Sequence, residues 1–179
     1  MNQRRKEIMR ELGLTPFWRK KQGRTPTTVD TKIHDSNESD SQHLDRTKHI
    51  LHLDWPQLKA EVENCHACPL SQARLHTVFG VGDEQADWLF IGEGPGARED
   101  EIGEPFVGQA GKLLDSMLAA IQLKRGSNVY ITNIVKCRPP NNRNPECNEA
   151  EQCRPYLERQ IALIKPKLII ALGKVAAQN

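Results

Sequence analysis

Three short apolar runs, too brief for helices and separated by helix-length stretches, constrain this chain most strongly. The runs are Trp88-Leu89-Phe90-Ile91, Val129-Tyr130-Ile131-Thr132-Asn133-Ile134-Val135 and Leu168-Ile169-Ile170-Ala171-Leu172. Each is rich in β-branched or aromatic residues, as buried strands are. Between the first two, residues 108–121 carry Leu113, Leu114, Met117, Leu118 and Ile121 at helical spacing. Between the last two, residues 149–164 also read as a helix. The order β-α-β-α-β predicts an α/β fold, with a central parallel sheet and helices on both faces. Upstream, Asp54-Trp55-Pro56 predicts a helix start with proline early in the first turn, running to about Asn64. No internal repeat is visible.

Composition divides the rest. The whole chain is 37% hydrophobic with a mean hydropathy of −0.62, low for a wholly globular chain. Residues 1–24 form a basic arm, with Ile8, Met9, Leu12 and Leu14 as the apolar side of a short helix. Residues 25–50 are rich in Thr, Ser, Asp and Asn, and we expect a disordered linker there. Residues 51–179 form the globular domain. The net charge of +2 hides these local clusters. No run approaches the ~18 apolar residues of a membrane span, and no signal-peptide pattern opens the chain. We therefore expect a cytoplasmic monomer with no membrane partner.

The chain has five cysteines, an odd count. In a cytosolic setting that points to metal binding or free thiols rather than a disulfide framework. Cys65 and Cys68 have the C-x-x-C spacing at the end of the first globular helix. Cys137 follows the second strand, and Cys153 lies in the next helix. Such a set can hold one metal ion or an iron–sulfur cluster. A redox pair, or four unrelated buried cysteines, are the alternatives. Spacing alone leaves zinc and iron–sulfur equally open. Cys147 reads as a free surface thiol.

The first strand exits into Gly92-Glu93-Gly94-Pro95-Gly96. Glycines there let backbone N–H groups approach a ligand and form a nest for an anion or a carbonyl. The run matches neither a P-loop nor G-x-G-x-x-G. Glu99, Asp100, Glu101 and Glu104 crowd the loop that follows, before Pro105-Phe106-Val107-Gly108. Carboxylates beside a nest suit a site that handles water better than one that holds phosphate. Phe106 reads either as core or as a stacking platform for a planar ligand.

The runs GEGPGAREDEIGEPFVGQAGKLL (92–114) and YITNIVKCRPPNNRNPE (130–146) resemble two signature blocks of the family 4 uracil-DNA glycosylases. The C-x-x-C pair and the Cys137 to Cys153 interval fit as well, so the resemblance covers about residues 61–179. Similar sequences also occur as the N-terminal region of phage-type DNA polymerases. The resemblance implies a three-layer αβα fold and a hydrolase of base-excision repair. Such an enzyme flips uracil out of DNA and cleaves its N-glycosidic bond with water. It implies a 4Fe–4S cluster on Cys65, Cys68, Cys137 and Cys153. It further implies that Gly92, Glu93, Gly94, Pro95 and Gly96 cradle the base, that Phe106 stacks on it and that Asn133 reads its edge. Glu99 would position or activate the water, with Glu93, Asp100 and Glu101 as close alternatives. Arg138, Arg143, Arg154 and Arg159 could meet DNA phosphates or could be ordinary solvated surface.

The chain departs from that family in one respect. The family's last motif is a His-Pro-Ser-type loop after the third strand, and no such motif occurs here. All six histidines, His34, His43, His49, His52, His66 and His76, precede the strands. We expect the last strand and helix to be missing, a C-terminally truncated product and weakened or lost activity. The alternatives are a non-catalytic iron–sulfur nucleic-acid-binding or replication-accessory module, and a zinc-dependent structural module. Residues 4–21 resemble, faintly, the N-terminal peptide of the clamp-loader psi subunit. That implies a replication clamp-loader contact through residues 1–24, with Phe17 and Trp18 as anchors; a loosely DNA-binding arm is the other reading.

Overall fold

The computed structural model describes residues 37–179, with side chains from residue 44 onward. The basic arm of residues 1–24, with its clamp-loader reading, and residues 25–36 lie outside the described part. In chain order the elements are α1 (Asn37–Ile50), α2 (Trp55–Glu63), β1 (Val81–Gly82), β2 (Trp88–Gly92), α3 (Ala97–Ile102), α4 (Gln109–Ala120), β3 (Val129–Asn133), α5 (Cys147–Ile164), β4 (Leu168–Ala171) and α6 (Lys174–Gln178). Short 3₁₀ turns occupy Pro69–Gln72 and Pro140–Asn142.

The sheet order is β1-β3-β2-β4. β2 runs parallel to both β3 and β4, as the strand–helix alternation predicts. The sheet is nonetheless mixed rather than wholly parallel, because β1 adds an antiparallel edge to β3. Two residues carry no periodicity, so sequence patterning could not find β1. Glycine makes it possible: Gly82 has a φ of +138°, and a Cβ there would overlap the Val129 carbonyl across the pair.

Side-chain alternation along the strands builds two cores. On one face, Leu89, Ile91 and Tyr130 pack with Leu58 and Val62 of α2 and with Tyr156 and Leu157 of α5. On the other, Phe90, Val129 and Ile131 pack with Leu114 and Leu118 of α4. The result is a three-layer αβα fold. Burial of each large aliphatic side chain contributes about 1.5–3 kcal/mol. The apolar stripe of α4 is wider than the face it buries, since Leu113, Met117 and Ile121 stay exposed. At the sheet edge, Leu168 and Ile169 of β4 are also exposed.

The helix starts follow their caps. Asp54 accepts from the Gln57 N–H at 2.9 Å, and Gln57 Oε1 accepts from the Asp54 N–H at 3.0 Å, closing a capping box on α2. Glu146 and Glu149 form a second box on α5. The linker expectation fails over Asn37–Ile50, which is helical. Its polar composition misled because tertiary contacts hold its last turns. Ile50 is fully buried, and Arg46 donates to the Gln152 carbonyl at 3.1 Å and lies over the Tyr156 ring. None of the described helices is long and apolar enough to cross a membrane.

Candidate active site and cysteine cavity

Gly92 and Asn133 end the two neighbouring parallel strands and are register partners, so both lie at the carboxyl edge of the sheet, where α/β folds place ligands. A Cβ at residue 92 would lie 2.5 Å from Asn133 Oδ1 and 2.5 Å from Phe106 Cζ. Only glycine therefore leaves room for both the amide and the ring edge beside the end of β2. Asn133 is 1% exposed, and its Oδ1 is buried with no hydrogen-bond partner. Leaving a buried polar atom unpaired costs about 1–3 kcal/mol, the kind of deficit a bound ligand removes.

Beyond the strand ends, Ile134 N–H donates to Gly92 O at 2.9 Å and Val135 N–H to Glu93 O at 3.2 Å. These bonds carry the parallel pairing into the glycine-rich exit. Glu93, Gly94, Pro95 and Gly96 face Pro139, Asn142 and Arg143 across a small pocket.

Glu99, Asp100 and Glu101, expected in a loop, lie instead on α3, the short helix capped by Gly96, while Glu104 is in the loop that follows; the structure separates them. Glu99 Oε1 accepts from the Val107 and Gly108 N–H groups, each at 2.9 Å, and its Oε2 lies against Gly96. Asp100 is buried and accepts from Leu75 N–H at 2.9 Å and His76 N–H at 3.3 Å, so it ties the preceding loop to α3. Glu101 pairs with Arg98 on the surface. Glu99 and Glu93 are the two that border the glycine exit.

Phe106 is half-buried with a φ of +56°, a left-handed conformation that costs a non-glycine residue about 1–3 kcal/mol. Three neighbours hold it there. Glu99 grips the two N–H groups that follow it. Arg125 donates to the Pro105 and Phe106 carbonyls, each at 2.8 Å. Gly111 lets α4 press on the Phe106 backbone where any Cβ would overlap its carbonyl.

The four cysteines of the expected ligand set converge. Cys65, Cys68, Cys137 and Cys153 line one cavity with Arg74, Lys136, Gln152 and Tyr156. Cys147 is exposed at the first turn of α5 and takes no part. Arg74 Nη1 donates to Cys137 Sγ at 3.0 Å, the Lys136 N–H to Cys153 Sγ at 3.3 Å and Arg46 Nη2 reaches Cys65 Sγ at 3.7 Å. Burial pushes the Cys153 thiol up to about 12 and raises Cys137 and Cys68 as well. A bound cation would favour their deprotonated form. Among the described residues no three His, Cys, Asp or Glu side chains close on a single point as one ion requires. Four thiols around one cavity, with N–H groups aimed at sulfur, are a donor set open to a metal ion or an iron–sulfur cluster.

Lys136 joins the two regions. Its ammonium is buried and donates to Thr132 Oγ1 at 2.6 Å, Asn133 O at 2.8 Å and Gln160 Oε1 at 2.7 Å. Burial lowers its pKa to about 8, opposed by the neighbouring Cys153 and Cys137. Lys136→Met keeps the length of the side chain but strands three buried acceptors. We expect it to destabilise the fold by about 3–5 kcal/mol, read from the urea midpoint. A loss below about 1 kcal/mol would show that the three bonds are not what stabilises this region.

The arginines proposed for phosphates mostly have other work. Arg143 makes two bonds to Glu149, at 2.8 and 2.7 Å, and their pairing holds the Glu149 carboxyl below its usual range. Arg159 donates to Leu53 O at 2.6 Å, and Arg138 to Asn142 Oδ1 at 2.7 Å. Arg154 is exposed. Among the described residues no histidine lines the pocket beside the glycine exit. Sequence reasoning missed Arg46, Arg74, Arg125 and Lys136, because nothing local marks an arginine or lysine whose partners lie far along the chain.

This geometry defines an α/β protein with a small pocket beside the carboxyl ends of its parallel strands, where such folds place ligands. The profile of the uracil DNA glycosylase superfamily matches residues 79–179, and the chain belongs to that superfamily. It is 53% identical over 118 residues to a type-4 uracil-DNA glycosylase of Archaeoglobus fulgidus, a match covering 66% of this chain and 59% of that protein. It is 48% identical over 126 residues to the type-4 enzyme of Pyrobaculum aerophilum, covering 70% and 64%. With that of Sulfurisphaera tokodaii it shares 51% over 118 residues, covering 66% and 54%. The chain thus spans a little over half the length of these relatives.

Proposed function

We propose that this chain acts in uracil excision from DNA, with Asn133 reading the edge of a flipped-out uracil. The unpaired Oδ1 of Asn133, buried beside Gly92, to which the Phe106 ring also comes close, is the observation that carries the reading. Uracil presents an N–H donor flanked by two carbonyls, and an amide side chain can both accept and donate along that edge. The Phe106 ring offers the base a face to stack on, worth about 1–3 kcal/mol. A base inside a duplex must first be flipped out, at a cost of a few kcal/mol.

In the reaction the bond between uracil N1 and sugar C1′ breaks, and its electron pair leaves with the uracil. Water oxygen bonds to C1′, and the proton it sheds goes to a carboxylate. Backbone N–H groups at the glycine exit stabilise the departing anion. Glu99, through its Oε2, orients the water while its Oε1 holds the Phe106 loop. Cys65, Cys68, Cys137 and Cys153 would hold a 4Fe–4S cluster, which supplies cross-linking rather than chemistry. It would join the segment after α2 to the exit of β3 and to α5.

The test is uracil release from a labelled oligonucleotide by the iron-loaded chain beside Glu99→Gln. Glutamine retains an acceptor for the Val107 and Gly108 N–H groups but loses the charge. Release should fall by about 10²–10⁴-fold with uracil-DNA affinity kept. Unchanged release in Glu99→Gln would move the water to Glu93. No release from the folded, iron-loaded chain would leave a module that binds but does not cut.

A further inference from the structure

We propose that Arg125 is a positioning residue that holds the Phe106 ring in place for the base, a role that rests on the stacking reading above. Arg125 lies in the loop between α4 and β3, 19 residues beyond Phe106 in sequence. Its Nη1 and Nη2 donate separately to the carbonyls of Pro105 and Phe106, each at 2.8 Å. Two parallel bonds from one planar guanidinium fix the orientation of the Pro105–Phe106 peptide as a single donor cannot. Asp115, on the outer side of α4, anchors the guanidinium from behind, with Nε at 3.1 Å and Nη2 at 3.1 Å from its Oδ1.

The clamp acts where backbone preference opposes the observed geometry. Phe106 has a φ of +56°, which a bulky L-residue leaves when released. Glu99 holds the N–H side of the turn and Arg125 its carbonyl side. Removing either opens a path back to an extended backbone, and that swings the ring away from Gly92 and Asn133. Arg125 touches neither of those two, so its effect on base binding runs through Phe106.

The experiment uses the full iron-loaded chain carrying 4-fluorophenylalanine at its four phenylalanines, with the residue-106 resonance assigned by Phe106→Leu. Arg125→Ala should move and narrow that ¹⁹F resonance and leave the others in place, with iron content unchanged. Arg125→Lys, which keeps the charge but cannot bridge both carbonyls, should give an intermediate shift. A residue-106 resonance that stays put in Arg125→Ala overturns the inference, whatever the binding data show. In parallel, affinity for a uracil-containing single-stranded oligonucleotide should fall about tenfold in Arg125→Ala, within the range of a lost stacking contact. On a Phe106→Ala background the same substitution should cost nothing further. Additive losses would mean that Arg125 acts on DNA directly and would overturn the role. If Phe106→Ala leaves affinity intact, the stacking reading falls, while the ¹⁹F shift still decides whether Arg125 positions the ring.

Discussion

Asn133→Ala should lower uracil release by about 10²–10³-fold without lowering the melting temperature. On the proposed reading the two readouts separate, because Asn133 would serve the ligand more than the fold. Its Oδ1 is buried without a partner, so truncation removes a polar atom that is costly in the free protein. Its carbonyl, which accepts from Lys136 at 2.8 Å, survives the substitution. A drop in stability matching the drop in release would show instead that the amide is structural. Asn133→Asp sharpens the comparison: a carboxylate still accepts but cannot donate, and its charge repels the departing uracil anion.

Cys153→Ala should cost the protein its iron and about 5 kcal/mol of stability, a fall of roughly 10–20 °C in melting temperature for a chain of this size. The cavity gathers residues from three places: the C-x-x-C segment after α2, the exit of β3 and α5. Losing a group held between them would remove a tie common to all three, on top of the core packing that also joins them. Cys147→Ala is the matched control, because that thiol is exposed on the same helix, and it should keep iron and stability. Iron retained in Cys153→Ala would break the proposed ligand set. The loss should also reach the base site, since Lys136 bonds Asn133 O and its N–H bonds Cys153 Sγ.

Residues such as Arg46 and Arg74 refine the cluster reading. Both point N–H groups at cysteine sulfur, and both precede residue 79, where the superfamily match begins. Arg46 reaches Cys65 from α1, the segment whose polar composition read as a linker. Its partners include Gln152, 106 residues away. No window of local sequence contains that information.

Much of this protein is written in short-range pattern. Apolar runs of strand length alternate with helical spacing, and this determined β2, α4, β3, α5 and β4, along with their parallel pairing. The Asp54 box determined where α2 starts. The C-x-x-C spacing and the glycine run at 92–96 marked the cysteine cavity and the strand-exit pocket, because both need particular residue types at short intervals. Tertiary structure alone decided the rest. Pairing of β2 with β3 sets Gly92 opposite Asn133, 41 residues on, and chain reversal at the carboxyl edge brings the Phe106 ring up to Gly92. The left-handed backbone of Phe106 runs against its own preference and exists only because Glu99, Arg125 and Gly111 outvote it. Asp100 looked equivalent to Glu99 in sequence, and only the fold turned one inward as a loop anchor and left the other at the glycine exit. The division has one physical cause. Hydrophobic periodicity and caps act within a few residues, whereas hydrogen-bond partners and close backbone approaches are chosen after the chain has folded back on itself.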